Sequence, residues 1–447
     1  MESPSLAREL TLPSAAALVV GQVIAVGIFL TPGTIIRTLA SPLWVLVAWA
    51  IIGTMALCGA LCYGALAARF PQAGGGYVYL REAFGPRIAF LYGWKCFLVM
   101  DPGITAALAT GFAAYVGYIV PLGPVALRAV GVSAIVVLAV VHVFGVRPGT
   151  RVMTTLAVIK LGLVGGLVIM ALASTEGRWD HFVPFVQRRP GAPPFAGALA
   201  GALVAAFFSF GGWWEVTKIA GEVRDPERTV PRALRIGLAV VTLVYVLVTL
   251  AFIYVVPIEQ VGPGEAFVAQ VGTALLGPRG GTLVAGIVVA SVLGSLGAML
   301  MLAPRVYFAM ARDGVFPAAA AAVHPRFGSP ARAIAAQATL ASLLVLFGTF
   351  DTIVAYFIFI TVAFIALTVG SVFVLRQRDP AFEVPGHPWA ALTFIAMVGG
   401  LLVLLLVNNP LQAALGTAIV ALGVPAYEVL GRPATGRSAA ATTESAS

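Results

Sequence analysis

Charge is what this sequence has least of. Only 10% of its 447 residues are Asp, Glu, Lys or Arg, against roughly 25% in soluble domains. That is too little charge to coat a water-soluble globule. Cysteine is scarce as well. The three present, Cys58, Cys62 and Cys96, fall inside apolar runs, where a disulfide framework has no place and packing is the simple role. Of four histidines only His142 lies in such a run. No nucleophile–base arrangement or metal-ligand cluster stands out, which argues against an intramembrane enzyme, a resident metal or a cofactor. No repeated filter segment or ring of like charge marks a channel.

What is present is hydrophobicity, at 60% of the chain. Apolar runs of about 20 residues, each long enough to cross the hydrocarbon layer, recur from end to end. They do not alternate as barrel strands would. The fold class is therefore an all-α polytopic membrane protein. The spans read as 12–36, 43–68, 88–117, 128–146, 152–173, 197–219, 236–256, 280–303, 333–349, 353–375, 389–408 and 412–430, which makes about twelve transmembrane helices. Connections are short, so 12–430 reads as one membrane domain between an N-terminal tail (1–11) and a small, polar, disordered tail (431–447).

The net charge of +9 could suggest nucleic acid, but its distribution explains it. With both tails inside, residues such as Arg69, Arg81, Arg87, Arg224, Arg228, Arg232 and Arg305 all fall on the cytoplasmic side. The first apolar run follows a single basic residue, Arg8, lacks a clear cleavage site, and reads as a retained helix. The expected location is the cell membrane with both termini cytoplasmic, and neither a nucleic-acid nor an obligatory protein partner is called for.

Two segments break the apolar pattern in the same way. The first span contains "VIAVGIFLTPG" (Val23 to Gly33) and the sixth "FFSFGGWW" (Phe207 to Trp214). Interruptions five helices apart, in corresponding halves, point to an inverted-repeat transporter with its site at the midplane. Unwinding a helix in lipid frees N–H and C=O groups that are costly unless a polar ligand meets them. The alternative is that these glycines only allow close helix packing.

These stretches, with "ALAARFPQAGGGYVYLREAFGP", "GEVRDPERTVPRAL", "APRVYFAMARDGVFP", "VHPRFGSPARA" and "RQRDPAFEVPGHPW", resemble the amino acid–polyamine–organocation superfamily. Within it the chain most resembles the L-type amino acid transporter group, and the match runs from roughly residue 12 to 430. The resemblance implies a five-plus-five inverted-repeat core (12–173 and 197–375) with two additional helices (389–430). The amides of Val26 and Gly27 would receive a substrate carboxylate. The carbonyls of Val23, Phe208 and Gly211 would hold its ammonium, with Phe208 as an aromatic lid and Ile24, Ala25, Ser209 and Gly212 completing the clamp. Two departures bear on substrate choice: the family's GSG reads Ala25-Val26-Gly27 here, and Ala65 stands where a glutamate is usual.

Ionisable groups inside a bilayer are costly and usually functional. Lys160, mid-way along the fifth span, matches a lysine carried by sodium-independent members. The resemblance puts its ammonium where sodium sits in sodium-coupled relatives, near Ser291 or Ser295, as a proton-linked switch. A snorkelling lysine is the alternative. Lys95 and Asp101 stand six residues apart and so point in different directions. Asp101 would attract a cationic side chain of the substrate, or neutralise Lys95 or Lys160 through a third group. Glu215 follows the sixth-span break and would face the cavity or pair with Lys218. Trp213 joins Glu215, Lys160, Ser291 and Ser295 as a coupling or gating candidate. The "GEVRDPERTVPRAL" stretch reads as a cytoplasmic loop, either an inner-gate latch or a plain charged turn.

The function expected is secondary active transport of amino acids or related amines by alternating access, as a proton-coupled symporter or an exchanger. A polyamine or organocation permease, or a non-transporting sensor on the same fold, is the alternative.

Overall fold

The computed structural model describes residues 10–25, 27–144, 149–262, 267–322, 324, 327 and 329–430. Prolines set many of the helix starts, since a first-turn residue has no N–H to lose. The order opens with α1 (Leu12–Val23), α2 (Gly27–Leu39), α3 (Pro42–Arg69), α4 (Gly76–Phe84) and α5 (Pro86–Lys95). A π-helical turn, Cys96–Met100, leads into α6 (Asp101–Ile119), α7 (Pro124–Val143), α8 (Gly149–Ala173) and α9 (Phe195–Phe210). A 3₁₀ segment, Trp213–Glu222, precedes α10 (Pro226–Val255), α11 (Phe267–Leu276), α12 (Pro278–Leu302) and α13 (Pro304–Arg312). The chain ends in α14 (Ala331–Phe347), α15 (Phe350–Arg378), α16 (Trp389–Asn408) and α17 (Pro410–Leu430).

Among the described residues, nine helices or continuous helix pairs are long and apolar enough to cross a membrane, and ten if the bent pair α1–α2 counts as one. The shorter apolar helices α11, α14 and the described part of α8 add to these. The bundle is built by α10 lying along α3, α12 along α6, α1 along α10 and α2 along α9. The span Pro86–Ile119 is largely buried, whereas α7 and α17 leave most of their surface outside the protein, as expected of helices that face lipid.

Three sequence expectations need correction. The stretch between the expected spans 236–256 and 280–303 is not only a connection, because it contains the buried helix α11. The charged "PERTVPRAL" segment is not a loop: Pro226 starts α10 and Pro231 is accommodated inside it, so the helix begins ten residues before the apolar run at 236. The span expected at 88–117 is interrupted by a π turn immediately before Asp101-Pro102. Proline has no N–H and its ring clashes with the carbonyl four residues back, and a wider turn absorbs that conflict.

Candidate substrate cavity

Both interruptions read from the sequence are present. The axes of α1 and α2 meet at 46°, with Ile24 and Ala25 in the break. α9 stops at Phe210, and Gly211-Gly212 form a turn before the 3₁₀ segment. Gly212 has φ +100°, a left-handed conformation that side-chain-bearing residues rarely adopt. Gly27 is required for a different reason: a Cβ there would lie 2.6 Å from the Ser209 Cα. The start of α2 therefore rests directly on the end of α9.

A cavity opens between the two breaks. Gln22, Val23, Ala25 and Gly27 form one wall; Phe207, Phe208, Ser209, Gly211, Gly212, Trp214 and Glu215 form another. Ile104 and Leu108 of α6, Met299 of α12, and Phe357, Ile358 and Thr361 of α15 close it. Phe208 and Phe357 face each other with ring centroids 6.3 Å apart.

The freed backbone groups are partly met by side chains. The Tyr245 hydroxyl, from α10, lies 2.7 Å from the carbonyl oxygens of both Val23 and Ser209, and its single proton serves one of them at a time. Tyr245 is held in place by Trp49 and Phe210, with centroids at 5.2 and 5.0 Å. The Val23 carbonyl also accepts the Ala25 N–H at 2.7 Å. It is thus already engaged where the sequence reading had it free for an ammonium. The Phe208 carbonyl likewise accepts the Gly211 N–H at 3.0 Å. Ser209 and Thr31 hydroxyls pair at 2.5 Å, and Thr31 donates to the Gly27 carbonyl at 3.0 Å, tying the two broken helices together.

Other polar groups on the cavity wall are left over. The Gln22 Nε2, Trp214 Nε1 and Thr361 Oγ1 atoms are buried and have no hydrogen-bond partner among the described residues, and Glu215 Oε1 is likewise without one.

The candidate residues separate by position. Val23, Ala25, Gly27, Phe208, Ser209, Gly211, Gly212 and Glu215 line the cavity, while Ile24 is buried beside it. Val26 lies outside the described residues. Trp213 packs away from the cavity, edge-on to Tyr63 at 5.1 Å. Asp101 is fully buried and is not among the lining residues. Its carboxylate takes the Lys218 ammonium at 3.2 Å and the Tyr307 hydroxyl at 2.7 Å. Its ion-pair partner is therefore neither Lys95 nor Lys160, because Lys218 of the 3₁₀ segment reaches it from across the break. Lys218 also lies 2.7 Å from Glu215 Oε2. Lys95 instead sits 4.4 Å over the Tyr92 ring and donates to the Met100 sulfur at 2.9 Å. The chain's three lysines, Lys95, Lys160 and Lys218, are all buried in the bundle.

Lys160 reaches from α8 to the Gly21 carbonyl at 3.0 Å and the Ser295 hydroxyl at 2.8 Å. Ser295 in turn donates to the same carbonyl at 3.2 Å. The ammonium thus joins α8, α1 and α12 one turn below the first break. Ser291, one turn earlier in α12, is buried with its hydroxyl unpartnered.

Sequence reasoning missed Tyr245, Gln22 and Thr361. Each stands alone as a polar residue on an apolar face, and only the fold reveals what they face.

Comparison with known proteins shows the family. The family model described as "Amino acid permease" matches residues 10–425. The chain belongs to this family. The serine/threonine exchanger SteT of Bacillus subtilis is 29% identical over 438 residues, covering 95% of this chain and 97% of SteT. The human large neutral amino acids transporter small subunit 2 is 29% identical over 435 residues (95% of this chain, 80% of the relative). The mouse Asc-type amino acid transporter 1 is 27% identical over 435 residues (95% and 82%). For this permease, family membership and an all-helical polytopic fold agree.

Proposed function

We propose that this permease is a secondary active transporter that moves amino acids across the cell membrane by alternating access, with both termini cytoplasmic. One observation carries the reading: two broken helices, five spans apart, face each other across a cavity whose wall holds unsatisfied polar groups. Buried polar atoms without partners cost free energy, about 1–3 kcal/mol each, and an amphipathic ligand that meets them recovers it. The relatives, whose names describe amino acid exchangers and transporters, supply the substrate class. The start of α2 at Gly27 would meet the carboxylate, as helix N-termini do for anions. Phe208 closes over the bound substrate.

The two repeats, 12–173 and 197–375, would rock against each other around this site, and the additional helices 389–430 would stay outside that motion. Lys160, fixed to α1 and α12, would act as the coupling group in either proton symport or exchange. No chemistry on the substrate is called for.

The test is counterflow. Purified protein in liposomes preloaded with unlabelled amino acid should take up labelled amino acid in a saturable manner, faster than empty vesicles do. Binding without flux would instead indicate a sensor, and flux restricted to amines lacking a carboxylate would indicate an organocation permease.

A further inference from the structure

The ion cluster beside the cavity is unevenly satisfied. Two carboxylates, Asp101 and Glu215, share the single ammonium of Lys218. Asp101 also receives the Tyr307 hydroxyl, so both of its oxygens are engaged. Glu215 has the Lys218 ammonium on Oε2 alone, and its Oε1 has no partner among the described residues. An ionised carboxylate offers about four acceptor sites, so most of the accepting capacity of Glu215 is unspent. Lys95, the other cation nearby, is occupied by Tyr92 and Met100 and forms no ion pair among the described residues. Of the two acids, only Glu215 lines the cavity. Residues at 1% exposure with unmet polar atoms call for a partner that arrives with the ligand.

We propose that Glu215 reads the side chain of the substrate and selects one that carries a hydrogen-bond donor, with a hydroxyl as the simplest case. Lys218 and Asp101 are positioning residues: the Asp101–Lys218 pair anchors the ammonium that aims Glu215, and Tyr307 fixes Asp101. The donor groups Gln22 Nε2 and Trp214 Nε1, with the Thr361 hydroxyl that lines the same cavity, are complementary to the lone pairs of such a side chain. A purely apolar side chain leaves all of these unmet. This inference rests on the cavity being the amino acid site.

Threonine and valine have the same shape and differ by a hydroxyl for a methyl, so they isolate the donor. Their affinities for the purified protein are read by ligand-dependent thermal shift and by competition against labelled uptake. The wild type should favour threonine by at least about tenfold, since a site built to pair a hydroxyl rejects the analogue that lacks it. Glu215→Met should bring the two to near parity, mainly by weakening threonine. Glu215→Gln, which keeps an acceptor and the side-chain length, should retain part of the preference, and it gives the reading if the Met variant does not fold. Equal affinity of the wild type for the two ligands would overturn the proposal, as would an undiminished threonine preference in either variant. Specific binding without counterflow would leave the selection by Glu215 standing and remove the transport reading; counterflow without side-chain discrimination would do the reverse.

Discussion

Tyr245 holds the two breaks together through one oxygen atom, which lies 2.7 Å from Val23 O and 2.7 Å from Ser209 O. Tyr245→Phe keeps the packing against Trp49 and Phe210 but takes the hydroxyl from the Ser209 carbonyl and leaves the Val23 carbonyl only the Ala25 N–H, at about 1–3 kcal/mol. We expect a lower apparent melting temperature in detergent and weaker amino acid binding, both measured on the same preparation. Lys160 poses the coupling question at the same scale. Lys160→Met should give a folded protein whose uptake no longer varies with pH; an unchanged pH profile would remove Lys160 from coupling. For Asp101 the structure changes the expectation. Burial and the ion pair with Lys218 make it a support of the site, so Asp101→Asn should weaken neutral and cationic substrates alike. Breaking a buried pair costs about 3–5 kcal/mol, which should appear as a large loss of thermal stability. A selective loss for cationic substrates would restore a direct contact.

At the scale of elements, the close seat of α2 on α9 is the sensitive joint. Gly27→Ala places a methyl 2.6 Å from the Ser209 Cα, and backbone on that side cannot turn away as a flexible side chain would. The overpacking costs about 1–3 kcal/mol, and we expect it to separate the two half-helices enough to abolish saturable uptake while the protein still elutes as a folded species. Much of this joint was legible in the sequence. Glycine inside apolar runs marked both breaks, Gly27 in the first and the Gly211-Gly212 pair in the second, and the break after Phe210 falls where "FGGWW" suggested. Other elements were hidden for physical reasons. The helix α4 is short and amphipathic, with no long apolar run to announce it. Pro226 reads as a loop residue yet is well suited to the first turn of α10. The partner of Asp101 is 117 residues away, and no local periodicity carries that information. Tyr245 sits in "VVTLVYVLVTLAF", where an aromatic residue is ordinary until its hydroxyl is seen between two carbonyls.

Across the whole molecule, one end of the bundle gathers most of its surface ion pairs. Arg81 joins Asp313 at 2.6 Å and Glu82 at 2.9 Å, Tyr77 donates to Asp313 at 2.7 Å, and Arg69 meets Asp379 at 2.8 Å. Leu10 pairs as a short parallel bridge with Val223, at the end of the 3₁₀ segment, and Arg305 faces Glu222 at 3.6 Å. These contacts tie the segment after the second break to the rest of that end, which suits a closed gate. The concentration of arginine there predicts that it faces the cytoplasm. A protease site appended after residue 430 should be cleaved in inside-out vesicles and protected in right-side-out cells; the opposite pattern would invert the topology.

The central claim is that the two helix breaks form one amino acid site. The most direct measurement is a structure of the protein determined with a transported amino acid bound. The account predicts density between Ala25–Gly27 and Phe208–Gly212, with the carboxylate at the start of α2 and the side chain toward Glu215. An amino acid bound elsewhere, with the cavity between the breaks unchanged, would contradict it.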